Sequence, residues 1–412
     1  MPEAYIIDAV RTPRGIGKVG KGSLAHLHPQ VLGATVLKAI KDRNNLKTDE
    51  VDDIIWGCAT QVDKQGADLG RMSALLAGYD VKASGVTLDR FCGSGITSVS
   101  FGAGQIMSGM EDLVVAGGTD MMSFTASLAD PTRLPLMDKD NPQLRELHPQ
   151  SNQGVCADAI ATIEGISREA TEELAVESQK RATRAIAEAR FEKSLVAVHN
   201  EDGSVALDHE EFPRPNTTRE SLAGLKASFA ALADIPVDDK GNTYRSLINK
   251  KYPDVDIQHI HHAGNSSGVV DGSAAILLAS PEYAKKHGWR PRAKVVTAVN
   301  VGDCPTLMLN APVPAAKKAL QRAGLTKNDI DVWEINEAFA VVAEKFIRDL
   351  DLPRDKVNIN GGAMALGHPI GATGSILIGT ALDELERTGG KYALVTMCAA
   401  GGMAPAIIIE RL

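Results

Sequence analysis

Apolar and polar positions fall into short β-branched runs that alternate with longer helix-like stretches. Tyr5 to Val10 reads as a strand, Pro29 to Arg43 as a helix and Ile54 to Gly57 as a strand, and the alternation runs on through Ser73 to Ala77. This is the pattern of a parallel sheet with crossover helices, since a parallel connection must carry the chain back across one face of the sheet. The same order returns after residue 290. Ala293 to Val299 reads as a strand, Val313 to Ala323 as a helix, Asp331 to Ile335 as a strand and Ala338 to Asp349 as a helix.

The two halves superimpose at an offset of roughly 276 to 280 residues, a repeat long enough to be a whole α/β unit. Trp56 then falls on Trp333, Cys92 on His368, and the run Asp112 to Gly118 on Tyr392 to Cys398. Such a duplication brings Cys92, His368 and Cys398 from equivalent loops to one interface. Between the halves, from Met122 to Tyr252, the chain turns polar and loop-rich. Pro131, Pro135, Pro142 and Pro149 interrupt its first part, and Arg168 to Arg190 reads as an exposed helix. Sheet-like sequence resumes at Gly268-Val269-Val270 and Ala274 to Ala279. The expected organisation is therefore a first half over residues 1–121 continued by 254–280, an insertion over 122–253, and a second half over 281–412.

Composition narrows the function classes. The 412 residues include 44% hydrophobic and only 4% aromatic residues, so Ala, Val, Ile and Leu must build the core. A net charge of −8 argues against a broad nucleic-acid surface, which needs clustered Lys and Arg. No apolar run reaches the roughly 18 residues of a membrane span, and no basic-then-apolar leader precedes the first strand, so a cytoplasmic protein is expected. The five cysteines (Cys58, Cys92, Cys156, Cys304, Cys398) are odd in number and widely spaced, which points to neither a disulfide framework nor a zinc site.

Four motifs carry chemistry. Asp89-Arg90-Phe91-Cys92-Gly93-Ser94-Gly95 places a cysteine at a strand-to-helix turn, where the N-terminus of the helix Ile96 to Met107 favours thiolate. A buried structural cysteine is the competing reading. GGAMALGHPIGATG (361–374) sets His368 in a glycine-rich turn; it is either a packed imidazole or the proton acceptor that a cysteine nucleophile needs. CAAGGMAPA (398–406) offers Cys398 on a small-residue loop after the strand Ala393 to Met397. Asn336-Glu337-Ala338-Phe339 offers an amide that serves either as a helix cap or as a hydrogen-bond donor to an oxyanion or its bridging water.

Together these motifs resemble the thiolase family, and the resemblance covers essentially the whole chain. Ile7-Asp8-Ala9-Val10-Arg11-Thr12-Pro13, Gly165-Ile166-Ser167-Arg168-Glu169 and the run Ala263 to Gly272 share it. It implies a five-layered α-β-α-β-α fold of two duplicated halves with an inserted loop domain. It also implies an acyltransferase working by ping-pong steps on coenzyme A thioesters, with coenzyme A or acetyl-CoA as substrate and no resident cofactor or metal. Cys92 would take the acyl group, His368 would deprotonate it, and Cys398 would exchange a proton with the α-carbon of acetyl-CoA. Asn336, through a water, and His368 would form one oxyanion hole, and the backbone N–H groups of Cys92 and Ala400 the other. Arg214, Ser221 and Ser267 would contact coenzyme A, and the protein would be a homodimer or homotetramer. The degradative direction, thiolysis of a 3-oxoacyl-CoA, is favoured over biosynthetic condensation because the segment after Met122-Ser123 lacks the Pro-His element of that branch. The stretch Phe124 to Gln153 would line or cover the acyl pocket. Two positions depart from the family pattern: Asp89 stands where Asn is usual, and Ala399-Ala400 stand where the loop after the second cysteine is usually richer in glycine.

Other signals compete. Gly15 to Gly20 fits G-x-G-x-x-G, but no helix is expected after it. Gly264-Asn265-Ser266-Ser267-Gly268 fits the G-x-S-x-G of serine hydrolases, a reading that leaves Cys92 and Cys398 unexplained. His259, His261 and His262 invite a metal, yet no carboxylate or cysteine cluster completes a site, so a structural or interface role is expected. A non-catalytic acyl-CoA-binding scaffold would require loss of a catalytic residue, and all four positions are occupied.

Overall fold

A computed structural model describes residues 2–130 and 134–412 of the chain, so Met1 and Pro131 lie outside the described residues. Among the described residues, twelve strands form. They are β1 (Tyr5–Arg11), β2 (Gly15–Ile16), β3 (Asp53–Gly57), β4 (Val86–Leu88), β5 (Leu113–Met121), β6 (Val198–His199), β7 (Val205–Leu207), β8 (Val270–Ala279), β9 (Ala293–Gly302), β10 (Val332–Ile335), β11 (Tyr392–Thr396) and β12 (Met403–Arg411). The main sheet runs β10-β11-β12-β9-β1-β8-β5-β3-β4, with β2 pairing beside it on β8, while β6 and β7 pair separately.

The expectation of a parallel sheet is corrected. Only β3–β4, β3–β5 and β10–β11 are parallel; β1, β8, β9 and β12 enter antiparallel. Each half closes with strands that return to its centre, a topology that strand–helix alternation alone does not encode. The order on either side of the β1–β9 seam is matched, β1-β8-β5-β3 against β9-β12-β11-β10, so the duplication is visible in the sheet. The ladders also refine the repeat. Trp56 pairs with Gly117 and Trp333 with Leu394, so with the tryptophans equivalent Gly117 corresponds to Leu394 rather than to Met397.

Among the described residues, three large cores fill the four interfaces of five layers. Helices Pro29–Arg43 and Leu69–Leu76 bury Val36, Leu37, Ile40 and Leu69 against Ile54, Trp56, Val115 and Leu277 on one face of the first half. Helices Ser94–Ser108 and Ile370–Thr388 form the central layer, where Ile96, Val99, Leu377 and Leu382 meet Val114, Ile276, Val395 and Ile407 from both halves. Helices Pro312–Ala323 and Ala340–Leu350 cover the far face through Ala315, Val341 and Phe346 against Trp333, Leu394 and Ile408.

The described part of the insertion packs on the second half. Val155, Ile160, Tyr244 and Leu247 join the outer core of the second half. The Arg168 to Arg190 segment is helical over Arg168–Ala187, but it is not simply exposed: Thr171, Ala175, Ser178, Gln179 and Ala182 are buried. Its Glu- and Arg-rich composition hid a face of small residues on which the 361–366 turn packs.

Candidate active site

Cys92 sits one residue after a strained turn. Phe91 has φ 49°, a conformation costing a non-glycine residue about 1–2 kcal/mol, and its N–H is held by Asp89 Oδ1 at 2.6 Å. Ser94 Oγ accepts from Arg90 N at 2.8 Å and donates to Phe91 O at 2.7 Å, locking the turn to the first residue of the helix. Cys92 is buried. Burial pushes its thiol up to about 12, the carboxylates of Asp120 and Asp89 add to this, and the cysteine's own backbone N–H opposes it. The helix N-terminus was expected to favour thiolate; desolvation outweighs it, and the resting group is a neutral thiol.

The His368 turn faces it. Gly95 would place a Cβ 2.8 Å from Ser375 N, and Gly374 would place one 2.1 Å from Ile96 N, so the first turns of the two central helices touch backbone to backbone. Ser375 Oγ donates to Gly95 O at 3.0 Å across this contact. His368 N donates to Gly268 O at 2.9 Å, and the ring Nδ1 lies 2.6 Å from Thr373 Oγ1. Thr373 Oγ1 donates its one proton to Pro369 O at 3.0 Å. In that arrangement it accepts from Nδ1–H, which puts the lone pair on Nε2, an atom with no protein partner. Burial lowers the imidazole to about 4, so it is neutral at physiological pH. The two turns thus carry a neutral imidazole and a neutral thiol.

Cys398 follows β11 and is 1% exposed. Burial raises its thiol first, and Cys92 adds to the shift. Gly401 and Gly402 take φ 78° and 77°, while Ala399 and Ala400 are absent from the positive-φ residues, so alanine is sterically tolerated at both positions. Among the described residues, neither the Cys92 nor the Ala400 N–H donates to another residue's backbone carbonyl in a turn or loop.

Asn336 follows β10 directly, its N–H donating to Thr396 O at 3.2 Å, two residues before Cys398. It caps no helix: the next one begins at Ala340 with Phe339 as its cap. Both side-chain amide atoms are buried without a protein partner. Its neighbour Glu337, which sequence reasoning passed over, anchors the loop before His368. The carboxylate accepts from Ser178 Oγ at 2.7 Å, Asn358 Nδ2 at 3.0 Å and Met364 N at 3.1 Å. Ser178 also accepts from Gly362 N at 3.0 Å. A charged residue directly after a strand-end asparagine was the available signal. Asp120 was missed for the same reason: buried at the end of β5, it accepts from Ala59 N at 3.0 Å and Gln65 Nε2 at 2.9 Å and holds Gly371 N at the start of the second central helix.

Arg214 and Ser221 line one open groove of about 350 Å³ with Phe212, Thr217, Leu222 and Met364. Arg214 stacks over Phe212 at 5.6 Å. The Ser221 hydroxyl is already committed, accepting from Thr218 N at 3.0 Å and donating to Thr218 O at 2.8 Å in a capping box. Ser267 does not line this groove; its N–H donates to Ala338 O at 2.9 Å, beside the Asn336 segment.

The competing signals resolve against their alternatives. Ser266 precedes β8 rather than following a strand, so it is no nucleophile elbow. After Gly15–Ile16 the chain makes turns and no helix starts until Pro29. His259 and His261 both bond Asp158, at 2.6 and 2.7 Å, and His262 bonds Glu172 at 3.1 Å; among the described residues no cluster has the make-up of a metal site. No described helix is long and apolar enough to cross a membrane.

Proteins similar to this chain identify its family. Residues 4–234 match the family described as Thiolase, N-terminal domain, and residues 289–411 match Thiolase, C-terminal domain. The chain is 39% identical to a steroid 3-ketoacyl-CoA thiolase of Mycobacterium tuberculosis, covering all of this chain and 95% of that one. It is 38% identical to a beta-ketoadipyl-CoA thiolase of Acinetobacter baylyi over the full length of both. The crystal structure of human mitochondrial 3-ketoacyl-CoA thiolase in complex with CoA superimposes with a TM-score of 0.84 at 31% identity, covering 100% of this chain and 98% of that one. With a duplicated five-layer fold, two buried thiols and an imidazole free at Nε2, the chain belongs to the thiolase family of acyltransferases.

Proposed function

We propose that the protein is a degradative thiolase, splitting a 3-oxoacyl-CoA with free coenzyme A into acetyl-CoA and a shortened acyl-CoA. The free Nε2 of His368, with its tautomer set by Thr373, carries this reading. His368 Nε2 takes the Cys92 proton as the sulfur attacks the 3-oxo carbon. The bond between C2 and C3 breaks, the electron pair passes to C2, and Cys398 protonates it, releasing acetyl-CoA and leaving an acyl thioester on Cys92. The thiol of coenzyme A then gives its proton to the Cys398 thiolate as it attacks that thioester, and the Cys92 sulfur leaves, taking its proton back from His368. Transferring the proton during attack avoids a standing buried thiolate, which desolvation makes costly. The Asn336 amide, through a water, and His368 stabilise the enolate oxygen, and the N–H groups of Cys92 and Ala400 stabilise the oxyanion of the acyl group. The names of the relatives support the degradative direction.

The nucleotide end of coenzyme A fits the groove at Arg214, where a guanidinium meets phosphate. The thioester end lies toward Ser267. Cys92→Ser is expected to abolish acyl-enzyme formation from a 3-oxoacyl-CoA, whereas Cys398→Ser still acylates from an acyl-CoA. Full thiolysis by Cys92→Ser refutes the scheme. The protein is also proposed to be a homodimer. β4 ends the sheet with one edge unpaired, and Met72, Leu75, Leu76, Val81 and Val86 near it are exposed, an apolar edge that a second copy can cover symmetrically. Sedimentation of Val86→Asp is expected to show a monomer.

A further inference from the structure

Three side chains behind the Arg214 groove join its two walls. Leu222 and Leu225, from the short helix Arg219–Ala223 and the turn after it, form part of one wall, and Ala263 and Gly264, from the turn before β8, form part of the other. Arg168 opens the helix Arg168–Ala187. Its Nη2 donates to Leu225 O at 2.7 Å, Leu222 O at 3.2 Å and Ala223 O at 3.3 Å, holding the carbonyls at the end of the short helix. Its Nε donates to Glu172 Oε1 at 2.7 Å, one turn along the same helix. The same carboxylate oxygen lies 3.1 Å from His262 Nε2, and Gly264 N donates to His262 Nδ1 at 3.1 Å.

Every bond in this chain of contacts has a fixed direction. A backbone N–H can only donate, so His262 Nδ1 accepts from Gly264, the ring is neutral, and its one N–H sits on Nε2 and is donated to Glu172. Burial, the largest influence on the ring, also disfavours its charged form. Glu172 and His262 are 4% and 1% exposed and line neither wall, so they act on the groove through what they hold. A Cβ on Gly264 would fall 2.4 Å from Leu222 Cδ2 and 3.2 Å from His262 Nδ1, so the two walls meet at this residue.

We propose that Arg168, Glu172 and His262 are positioning residues for coenzyme A, a relay that sets the two groove walls against each other before the ligand arrives. The inference rests on the reading that this groove takes the nucleotide end of coenzyme A. Free coenzyme A and the 3-oxoacyl-CoA use the same groove in turn. Loosening the relay therefore weakens both to the same degree and leaves the chemistry at Cys92 untouched, a loss of binding shared by ground and transition states.

The test is steady-state thiolysis with a 3-oxoacyl-CoA and coenzyme A, beside acylation of Cys92 by the N-acetylcysteamine thioester of the same 3-oxoacyl group, which carries no nucleotide to place in the groove. Arg214→Ala alone is expected to raise KM for coenzyme A about tenfold; no change there refutes the reading of the groove itself and the relay with it. Glu172→Met is expected to raise KM for both coenzyme A substrates about tenfold, with kcat within about threefold and acylation by the truncated thioester within about twofold of the parent. Glu172→Gln, which keeps an oxygen to accept from Arg168 and His262, recovers most of the affinity. The double variant Glu172→Met/His262→Leu is expected to bind no more weakly than the worse single variant, since the two act as one chain. Arg168→Met, at a partly exposed position, replaces Glu172→Met if that variant does not fold. Parent KM values in Glu172→Met beside a raised KM in Arg214→Ala, an equal loss with the truncated thioester, or multiplied losses in the double variant would each overturn the proposal.

Discussion

The resting protonation of Cys92 has a direct consequence for its reactivity toward reagents other than substrate. An ordinary cysteine, at about 8.5, is a few per cent thiolate at pH 7. Cys92 is held at about 12, first by burial and then by Asp120 and Asp89. At pH 7 its thiolate fraction is therefore on the order of 10⁻⁵, some 10³-fold below a free thiol. The sign follows from the raised value: the reactive form grows about tenfold per pH unit and does not saturate until the pH passes the folded value. The assay is carboxamidomethylation of Cys92 by iodoacetamide from pH 6 to 10 in the Cys398→Ser background, followed by the mass of the Cys92 peptide. The expected profile is a continuous rise without a plateau and a rate at pH 7 far below that of free cysteine. In Asp89→Asn, which keeps an oxygen to accept from Phe91 N, the whole profile shifts to lower pH. A plateau near neutrality, the behaviour of a thiolate–imidazolium pair, refutes the argument, as does a shift of Asp89→Asn toward higher pH.

Four further outcomes are expected. His368 is neutral and buried, with its folded value at about 4 below an unfolded value of about 6.5, so its contribution to stability is present above the unfolded value and is lost as pH falls through the folded one. That loss is about 3 kcal/mol, and urea midpoints of His368→Phe should fall less than those of the parent over this window. Glu337→Ala strips three donors of their acceptor and should lower stability by about 3 kcal/mol, read as a drop in Tm. Gly374→Ala forces a Cβ to within 2.1 Å of Ile96 N and should cost about 10²-fold in kcat with the circular dichroism spectrum retained. Arg214→Ala should raise KM for coenzyme A about tenfold, whereas Ser221→Ala, whose hydroxyl is spent on Thr218, should leave KM within about twofold.

The chain's own pattern specified most of the elements. Apolar runs placed β1, β3, β9 and β10, and the long helices start within two residues of their expected ends at Pro312 and Ala340. The repeat was legible because Trp56 and Trp333 occupy the same place in their half-sheets, each pairing with the central strand beside it. Cys92, His368, Cys398 and Asn336 stood out because unusual residue types head glycine-rich turns or end strands. Strand direction was not legible, since alternation of period two is identical whether a neighbour runs parallel or antiparallel. Nor was the buried face of Arg168–Ala187, whose small residues become a surface only when the 361–366 turn arrives.

The residue types of the site, their order and the duplication that makes Cys92 and His368 counterparts were thus determined by the sequence itself. Protonation was decided by the tertiary structure alone. The helix N-terminus next to Cys92 is a local feature and argues for thiolate, whereas desolvation depends on every layer closed around the sulfur and proves the larger effect. The His368 tautomer likewise depends on where one threonine hydroxyl points its single proton, and Asn336 changes from a possible cap to an unpartnered amide only because the following helix begins at Ala340.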